Sequence, residues 1–168
     1  MPTVILHTSH GSVKIELDAK STPLTTENFL QYAKDGYYDQ TIFHRVIDGF
    51  MVQGGGFGSG MAQKTTRASI QNEAKQGIRN QIGTIAMART QDPHSASSQF
   101  FINVANNGFL DFQAETLQGY GYCAFGKVTE GMDVVKSMAK VETTTRDGHQ
   151  DVPEEEIVLE KIEILEEN

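Results

Sequence analysis

The sequence predicts a mainly β protein carrying two helices, and three observations point there. Short strand-like runs recur along most of the chain. Only two stretches have helical spacing. An Asp-Gly pair, Asp48-Gly49, separates two of the strand-like runs, the pattern of a hairpin whose tight turn needs positive φ. Many short strands with two helices make a β-barrel or a β-sandwich with helical caps, and periodicity leaves the choice between them open.

In chain order, Val4-Ile5-Leu6 and Val13-Lys14-Ile15-Glu16-Leu17 read as strands, the second with period-two alternation, and His10-Gly11-Ser12 as the turn between them. Thr22 then serves as a helix cap and Pro23 suits the first helical position. Phe29, Tyr32 and Ala33 share one face, and Asp35-Gly36 stops the helix. From Thr41 to Phe57 the chain is strand-like around Asp48-Gly49. Ile82–Met87, Gln99–Val104 and Tyr122–Val128 are further strands. Thr129 is placed to cap a second helix with Met132, Val135 and Met138 at helical spacing, and Ile157–Leu165 forms the last strand.

At 168 residues the chain suits one domain, residues 1–168, with neither linker nor internal repeat. Its 14 basic and 22 acidic residues give a net charge of −8. That argues against nucleic acid, whose phosphates need concentrated positive charge, and against a polybasic membrane contact. The N-terminus lacks a basic segment followed by an apolar run, so no signal peptide is expected. No apolar stretch approaches the roughly 20 residues of a membrane span. The single cysteine, Cys123, allows no intrachain disulfide and favours a reducing compartment. A cytoplasmic protein is the expectation.

Several constellations suggest chemistry and fail on spacing. Gly54-Gly55-Gly56-Phe57-Gly58-Ser59-Gly60 is glycine-rich, but Met61-Ala62 follows where a phosphate-binding loop needs lysine, so it reads as a mobile, turn-rich loop. The five histidines (His7, His10, His44, His94, His149) lack metal-ligand spacing and read as surface or hydrogen-bonded core residues. Ser95, Ser97 and Ser98 lack the glycine flanks of a nucleophile elbow. Cys123 reads as a buried small hydrophobe. The glutamates Glu154, Glu155, Glu156, Glu160, Glu163, Glu166 and Glu167 read as a solvated strand face and fraying end. The segment Phe43 to Gly55 stays open. It is either a hairpin with Arg45 on its solvent face or part of a site, because Phe50 and Met51 are adjacent and a regular strand turns one of them away from the core. Gln99-Phe100-Phe101-Ile102-Asn103 repeats its combination of a polar amide with large apolar groups.

These segments together resemble the cyclophilin family of peptidyl-prolyl isomerases, its bacterial cytosolic branch in particular. The resemblance runs nearly end to end. It rests on Phe43 to Phe57, Met87-Ala88, Ser98-Gln99-Phe100-Phe101-Ile102, Phe109-Leu110-Asp111, and Phe125-Gly126-Lys127-Val128 followed by Glu130-Gly131-Met132. It implies an eight-stranded antiparallel β-barrel capped by two α-helices, and an enzyme that speeds rotation about X-Pro bonds without metal, cofactor or covalent intermediate. Carried over position by position, Arg45 is the catalytic arginine. Phe50, Met51, Phe101 and Leu110 wall the proline pocket, Gln53 and Gln99 are amides near the substrate backbone, and Ala88 with Arg89 forms the rim.

Phe109 stands where many eukaryotic members place tryptophan, and Tyr122 where they place histidine. Both alter the rim, so strong cyclosporin binding is not expected. Phe112 to Gly121 reads as an insertion with no assigned role. The implied partners are proline-containing peptides and unfolded or folding proteins, met as a monomer. Two other classes use the same groove: a non-catalytic proline-peptide binding module, and a general chaperone recognising apolar segments. An isomerisation assay beside a peptide titration separates the first from an enzyme. Aggregation suppression that survives Arg45→Ala marks the second.

Overall fold

The structure is a computed structural model and describes residues 1–166; Glu167 of the acidic tail lies outside the described residues. Thirteen strands and two helices follow in the order β1 (Thr3–Thr8), β2 (Gly11–Leu17), α1 (Pro23–Lys34), β3 (Thr41–Ile42), β4 (Arg45–Ile47), β5 (Met51–Gly54), β6 (Phe57–Gly58), β7 (Ala62–Gln63), β8 (Thr84–Met87), β9 (Phe100–Asn103), β10 (Ala124–Glu130), α2 (Met132–Ala139), β11 (Thr143–Arg146), β12 (His149–Pro153) and β13 (Val158–Glu166). Eleven strands form one sheet in the order β4-β5-β9-β8-β10-β2-β1-β13-β3-β6-β7, and β11 pairs only with β12.

The sheet is curled. β4 is at one margin and β3 lies near the other, yet Phe43 and His44 alone join them in the chain. Two linking residues span at most about 10 Å, so the sheet bends round until its margins approach. The strand count therefore differs from the expected eight while the barrel-like class holds. Residues 41–47 form one bent run written as β3 and β4, and 51–58 another written as β5 and β6. Merging them, and setting aside β7 and the separate hairpin, leaves eight long runs.

Alternation decides what goes inside. Val4 and Leu6 on β1, Val13, Ile15 and Leu17 on β2, and Ile85 on β8 are fully buried in one apolar cluster with Phe29 of α1 and Val135 and Met138 of α2. Phe29 is central to it. Its ring lies 5.2 Å from Tyr38, 5.5 Å from Phe100 and 5.4 Å from Phe125, within the range of favourable aromatic pairing.

Both helix caps differ from expectation. The Thr22 hydroxyl turns back to the Asp18 carbonyl at 2.6 Å. The free N–H groups of α1 are instead met by the buried Glu73 carboxylate, which accepts from Thr25 N (2.8 Å), Thr25 Oγ1 (2.7 Å) and Leu24 N (3.3 Å). A negative group there also suits the helix dipole. Thr129 lies in β10, and the residue that precedes α2 at its cap is Gly131, whose φ of 94° only glycine adopts easily.

The first hairpin turns at Ser9-His10, since Thr8 already pairs with Gly11. A Cβ on Gly11 would meet Val134 at 2.9 Å, so this glycine lets α2 approach. Within the acidic tail Glu156 is a tether rather than a solvated side chain. It accepts from Ser59 Oγ (2.6 Å) and Gly60 N (2.7 Å), and these bonds hold its carboxyl below the usual carboxylate range. Among the described residues no helix is long and apolar enough to cross a membrane.

Candidate active site

The strands β4, β5, β9 and β8 lie side by side in antiparallel register, with Arg45 opposite Gln53, Gln53 opposite Phe101, and Phe101 opposite Ala86. Residues paired in register share a face, so this row projects together. The next row on that face is Ile47, Met51 and Asn103. The intervening residues Val46, Val52 and Ile102 go to the main core. The face of Arg45 builds a second apolar cluster instead, made of Met51, Ala86, Phe101, Leu110 and Ala124, with Phe50, Ala88 and Tyr122 packed on it. This sheet has apolar matter on both faces, which places the adjacent Phe50 and Met51. Met51 lies on the outer face, and Phe50 sits in the turn. There Phe50 N–H donates to Ile47 O at 3.0 Å and Gly49 alone takes positive φ, at 76°. The turn is thus a three-residue connection rather than a two-residue Asp-Gly one.

A cavity of about 140 Å³ opens on this face. Phe50, Met51, Phe101, Leu110 and Tyr122 give its apolar and aromatic walls; Arg45, Gln53, Ala88 and Arg89 complete the lining. Arg45 is exposed, and its Nη1 lies 3.5 Å from Gln53 Oε1. Gln53 Nε2 in turn donates to Gln99 Oε1 at 2.9 Å. Gln99 and Phe109 do not line this cavity. Gln99 reaches it through Gln53, and Phe109, 68% exposed, stacks on Phe50 with ring centroids 5.8 Å apart.

The glycine-rich segment is not a mobile loop. Gly54, Gly55 and Gly56 are buried, and a Cβ on Gly55 would meet Phe100 and the Ser98 carbonyl at 2.9 Å, while one on Gly56 would meet Gln99 at 2.5 Å. The glycines let the chain press against Ser98, Gln99 and Phe100, where the chain enters β9.

Sequence reasoning missed a buried polar network behind the walls. Asn107 Nδ2 donates to Phe50 O (2.9 Å) and to Asn103 Oδ1 (2.8 Å), and Asn103 Nδ2 donates to Asn80 Oδ1 (3.1 Å) and Thr84 Oγ1 (2.9 Å). Asn80 Nδ2 donates to Tyr122 O and Asp111 Oδ1, each at 3.1 Å, and to Leu110 O at 3.4 Å. Three wall residues are thereby held by their main chain. The available signal was Asn103, a strong hydrogen-bonding group closing an otherwise apolar run, which needs partners when buried.

His44 stands beside Arg45, packed on Phe57 at 4.5 Å between ring centroids. Contrary to a hydrogen-bonded core residue, its Nδ1 is buried with no partner among the described residues. Burial first, then His149 and Arg45, lower its pKa from 6.5 to about 4. The unfolded chain takes up this proton below pH 6.5 and the folded chain only near 4, so His44's contribution to stability is full above pH 6.5 and is lost as pH falls towards 4. The loss is on the order of 3 kcal/mol. His44→Leu is expected to flatten the dependence of melting temperature on pH between 7 and 4; parallel curves for both proteins would refute this. Cys123 is buried, which pushes its thiol up to about 12 and leaves it inert at neutral pH. Among the described residues no three His, Cys, Asp or Glu side chains gather as metal ligands.

Residues 3–164 match the family described as cyclophilin type peptidyl-prolyl cis-trans isomerase/CLD. The chain belongs to the cyclophilin family. It is a peptidyl-prolyl cis-trans isomerase, as its relatives are named. It is 53% identical to peptidyl-prolyl cis-trans isomerase B of Escherichia coli strain K12, over 97% of this chain and 99% of that one. It is 55% identical to the isomerase cyp18 of Streptomyces antibioticus, over 98% and 99%. Among solved cyclophilins, that of Cryptosporidium parvum in the presence of the dipeptide Ala-Pro superposes with a TM-score of 0.81 at 27% identity, covering 98% of this chain and 99% of that one.

Proposed function

We infer that Arg45 carries the isomerisation, acting on a prolyl ring seated among Phe50, Met51, Phe101 and Leu110. Gln53, steadied by Gln99, holds a substrate carbonyl. Ala88, Arg89, Phe109 and Tyr122 border the bound chain. One observation carries this reading: the guanidinium-bearing residue and the apolar walls line the same small cavity.

The chemistry needs little else. The peptide C–N bond is partly double and its rotation barrier is about 18–20 kcal/mol, so an X-Pro bond turns over in tens to hundreds of seconds. Turnover near about 10³ s⁻¹ requires an acceleration of roughly 10⁴–10⁵-fold, or about 5.5–7 kcal/mol. As the bond twists, the prolyl nitrogen pyramidalises and regains its lone pair. A guanidinium aimed at that lone pair binds the twisted amide better than either planar form, which is what lowers a barrier. Arginine suits this because it stays charged and presents rigid donors. No bond is made or broken, so neither nucleophile nor general base is required.

The reading extends to one domain over residues 1–168, working as a monomer on proline-containing peptides and folding proteins. A cytoplasmic location is supported by the lone buried Cys123, which suits a reducing compartment. Exchange NMR on Ala-Ala-Pro-Ala tests the function. The protein is expected to raise the cis-trans exchange rate, with kcat nearly constant between pH 6 and 9 because no group titrates in the step. A bell-shaped profile in that range would require an acid or base absent from this mechanism.

A further inference from the structure

The proline cavity opens onto two larger depressions of unlike chemistry. One, of about 710 Å³, shares Gln53, Ala88 and Arg89 with it and is otherwise walled by hydroxyl and amide side chains such as Thr65, Thr66 and Ser95. The other, of about 620 Å³, shares Arg89, Leu110 and Tyr122. Beyond that common wall it is lined by Phe109 and Leu117 together with the polar Thr90, Gln91 and Gln118. Phe109 and Leu117 are the two most exposed large hydrophobic side chains among the described residues, at 68% and 65%.

Leu117 comes from the insertion 112–121, and that segment is built rather than loose. Gln113 N donates to Gly119 O at 2.7 Å and Tyr120 N to Thr116 O at 3.0 Å. Arg89 fastens it to the rim, donating from Nε to Gly121 O (2.8 Å) and from Nη2 to Leu117 O (3.2 Å) while its guanidinium lies over Tyr122 at 4.7 Å. Phe109 is fixed from the other side by its stacking on Phe50. Two large apolar groups held in water along one groove leave apolar surface for an occupant to cover.

We propose that the groove between Phe109 and Leu117 is a subsite for a large apolar side chain next to the proline in the same substrate chain, so that the enzyme favours X-Pro bonds with an aromatic or branched aliphatic residue on that flank. The proposal rests on the isomerase reading above. Its occupant follows from continuity: a chain leaving the proline cavity past Leu110 and Tyr122 enters this groove. An extended chain advances only about 3.3–3.6 Å per residue, so the neighbouring residue is the one presented there. The opposite flank meets the depression lined mostly by hydroxyl and amide side chains, which offers a substrate side chain polar partners instead.

Two peptide series test this by exchange NMR: Ala-X-Pro-Ala and Ala-Ala-Pro-Z, with X or Z as Gly, Leu or Phe. In one series kcat/KM is expected to rise about tenfold from Gly to Phe, the scale of a filled apolar subsite. Leu117→Ser, and independently Leu117→Ala, should collapse that ratio towards one. Flat ratios in both series, or a Phe preference that both variants retain, would overturn the subsite. Failure of the protein to accelerate exchange in Ala-Ala-Pro-Ala would instead overturn the isomerase reading, so the two outcomes are distinct.

Discussion

Arg45→Ala is expected to lower kcat by about 10²–10³-fold, the cost of removing one preorganised donor aimed at a transition state, while leaving the melting temperature nearly unchanged. The second half follows from position. Arg45 is exposed, and its one side-chain hydrogen bond among the described residues, to Gln53, is 3.5 Å long, at the limit of such an interaction. Its backbone pairing with Gln53 in the β4–β5 ladder does not depend on the side chain. The first half follows from timing. The prolyl nitrogen has no free lone pair in either planar form, so the guanidinium acts mainly when the amide is twisted. KM should then move little compared with kcat. Arg45→Lys should recover only part of the loss, because an ammonium keeps the charge without the rigid fork. Exchange NMR at saturating Ala-Ala-Pro-Ala measures the step directly. A variant that keeps most of the wild-type rate would remove Arg45 from the mechanism.

The parts that local chemistry governs were legible in the sequence. Period-two alternation marks β2 because its neighbours bury every second residue, and Pro23 with Asp35-Gly36 brackets α1 because those residues start and stop helices on their own. Failures cluster where a distant group replaces the local one. The α1 cap is Glu73, about fifty positions from the N–H groups it serves, and no window around Thr22 contains it. Gly54-Gly55-Gly56 resembles a loose loop by composition, and only the crossing of Phe100 and Gln99 explains it. The β11–β12 hairpin is a different kind of miss. Asp147-Gly148 takes positive φ at both positions, 49° and 79°, and turns between the paired residues Arg146 and His149. That is the two-residue Asp-Gly turn expected at Asp48-Gly49. The flanking Thr143–Arg146 lacks apolar alternation because it is largely exposed, so the pattern that flags strands had nothing to register. At the site, Phe50, Met51 and Phe101 stood out as large apolar groups with amides near them, while Leu110 and Tyr122 came only with the family resemblance. The buried network holding the main chain of the walls was not legible, since its members are scattered over Asn80, Asn103, Asn107 and Asp111.

That network carries the second large effect. Asn80→Ala is expected to cost about 3–4 kcal/mol of stability, since each buried group left without a partner costs about 1–3 kcal/mol. The amide's donors serve Leu110 O, Tyr122 O and Asp111 Oδ1, and its oxygen accepts from Asn103 Nδ2. Some partners keep a second bond, which limits the sum. Leu110 O still accepts from Tyr122 N at 2.8 Å, Asp111 Oδ1 still accepts from the residue-80 main chain at 2.6 Å, and Asn103 still donates to Thr84. Asn80 is 1% exposed, so water does not readily substitute. The functional consequence is separable from the stability loss. Asn80 holds Leu110 and Tyr122 by their carbonyls but makes no contact with Arg45, which is fixed through the β4–β5 ladder. Loosening the walls weakens the grip on the proline ring in planar and twisted forms alike. KM should therefore rise about tenfold with kcat changing much less, the mark of lost uniform binding and the reverse of Arg45→Ala. Urea titration gives the first number and saturation kinetics well below the variant's melting temperature give the second. A variant that loses stability while keeping wild-type KM would show that the asparagines support the fold without shaping the pocket.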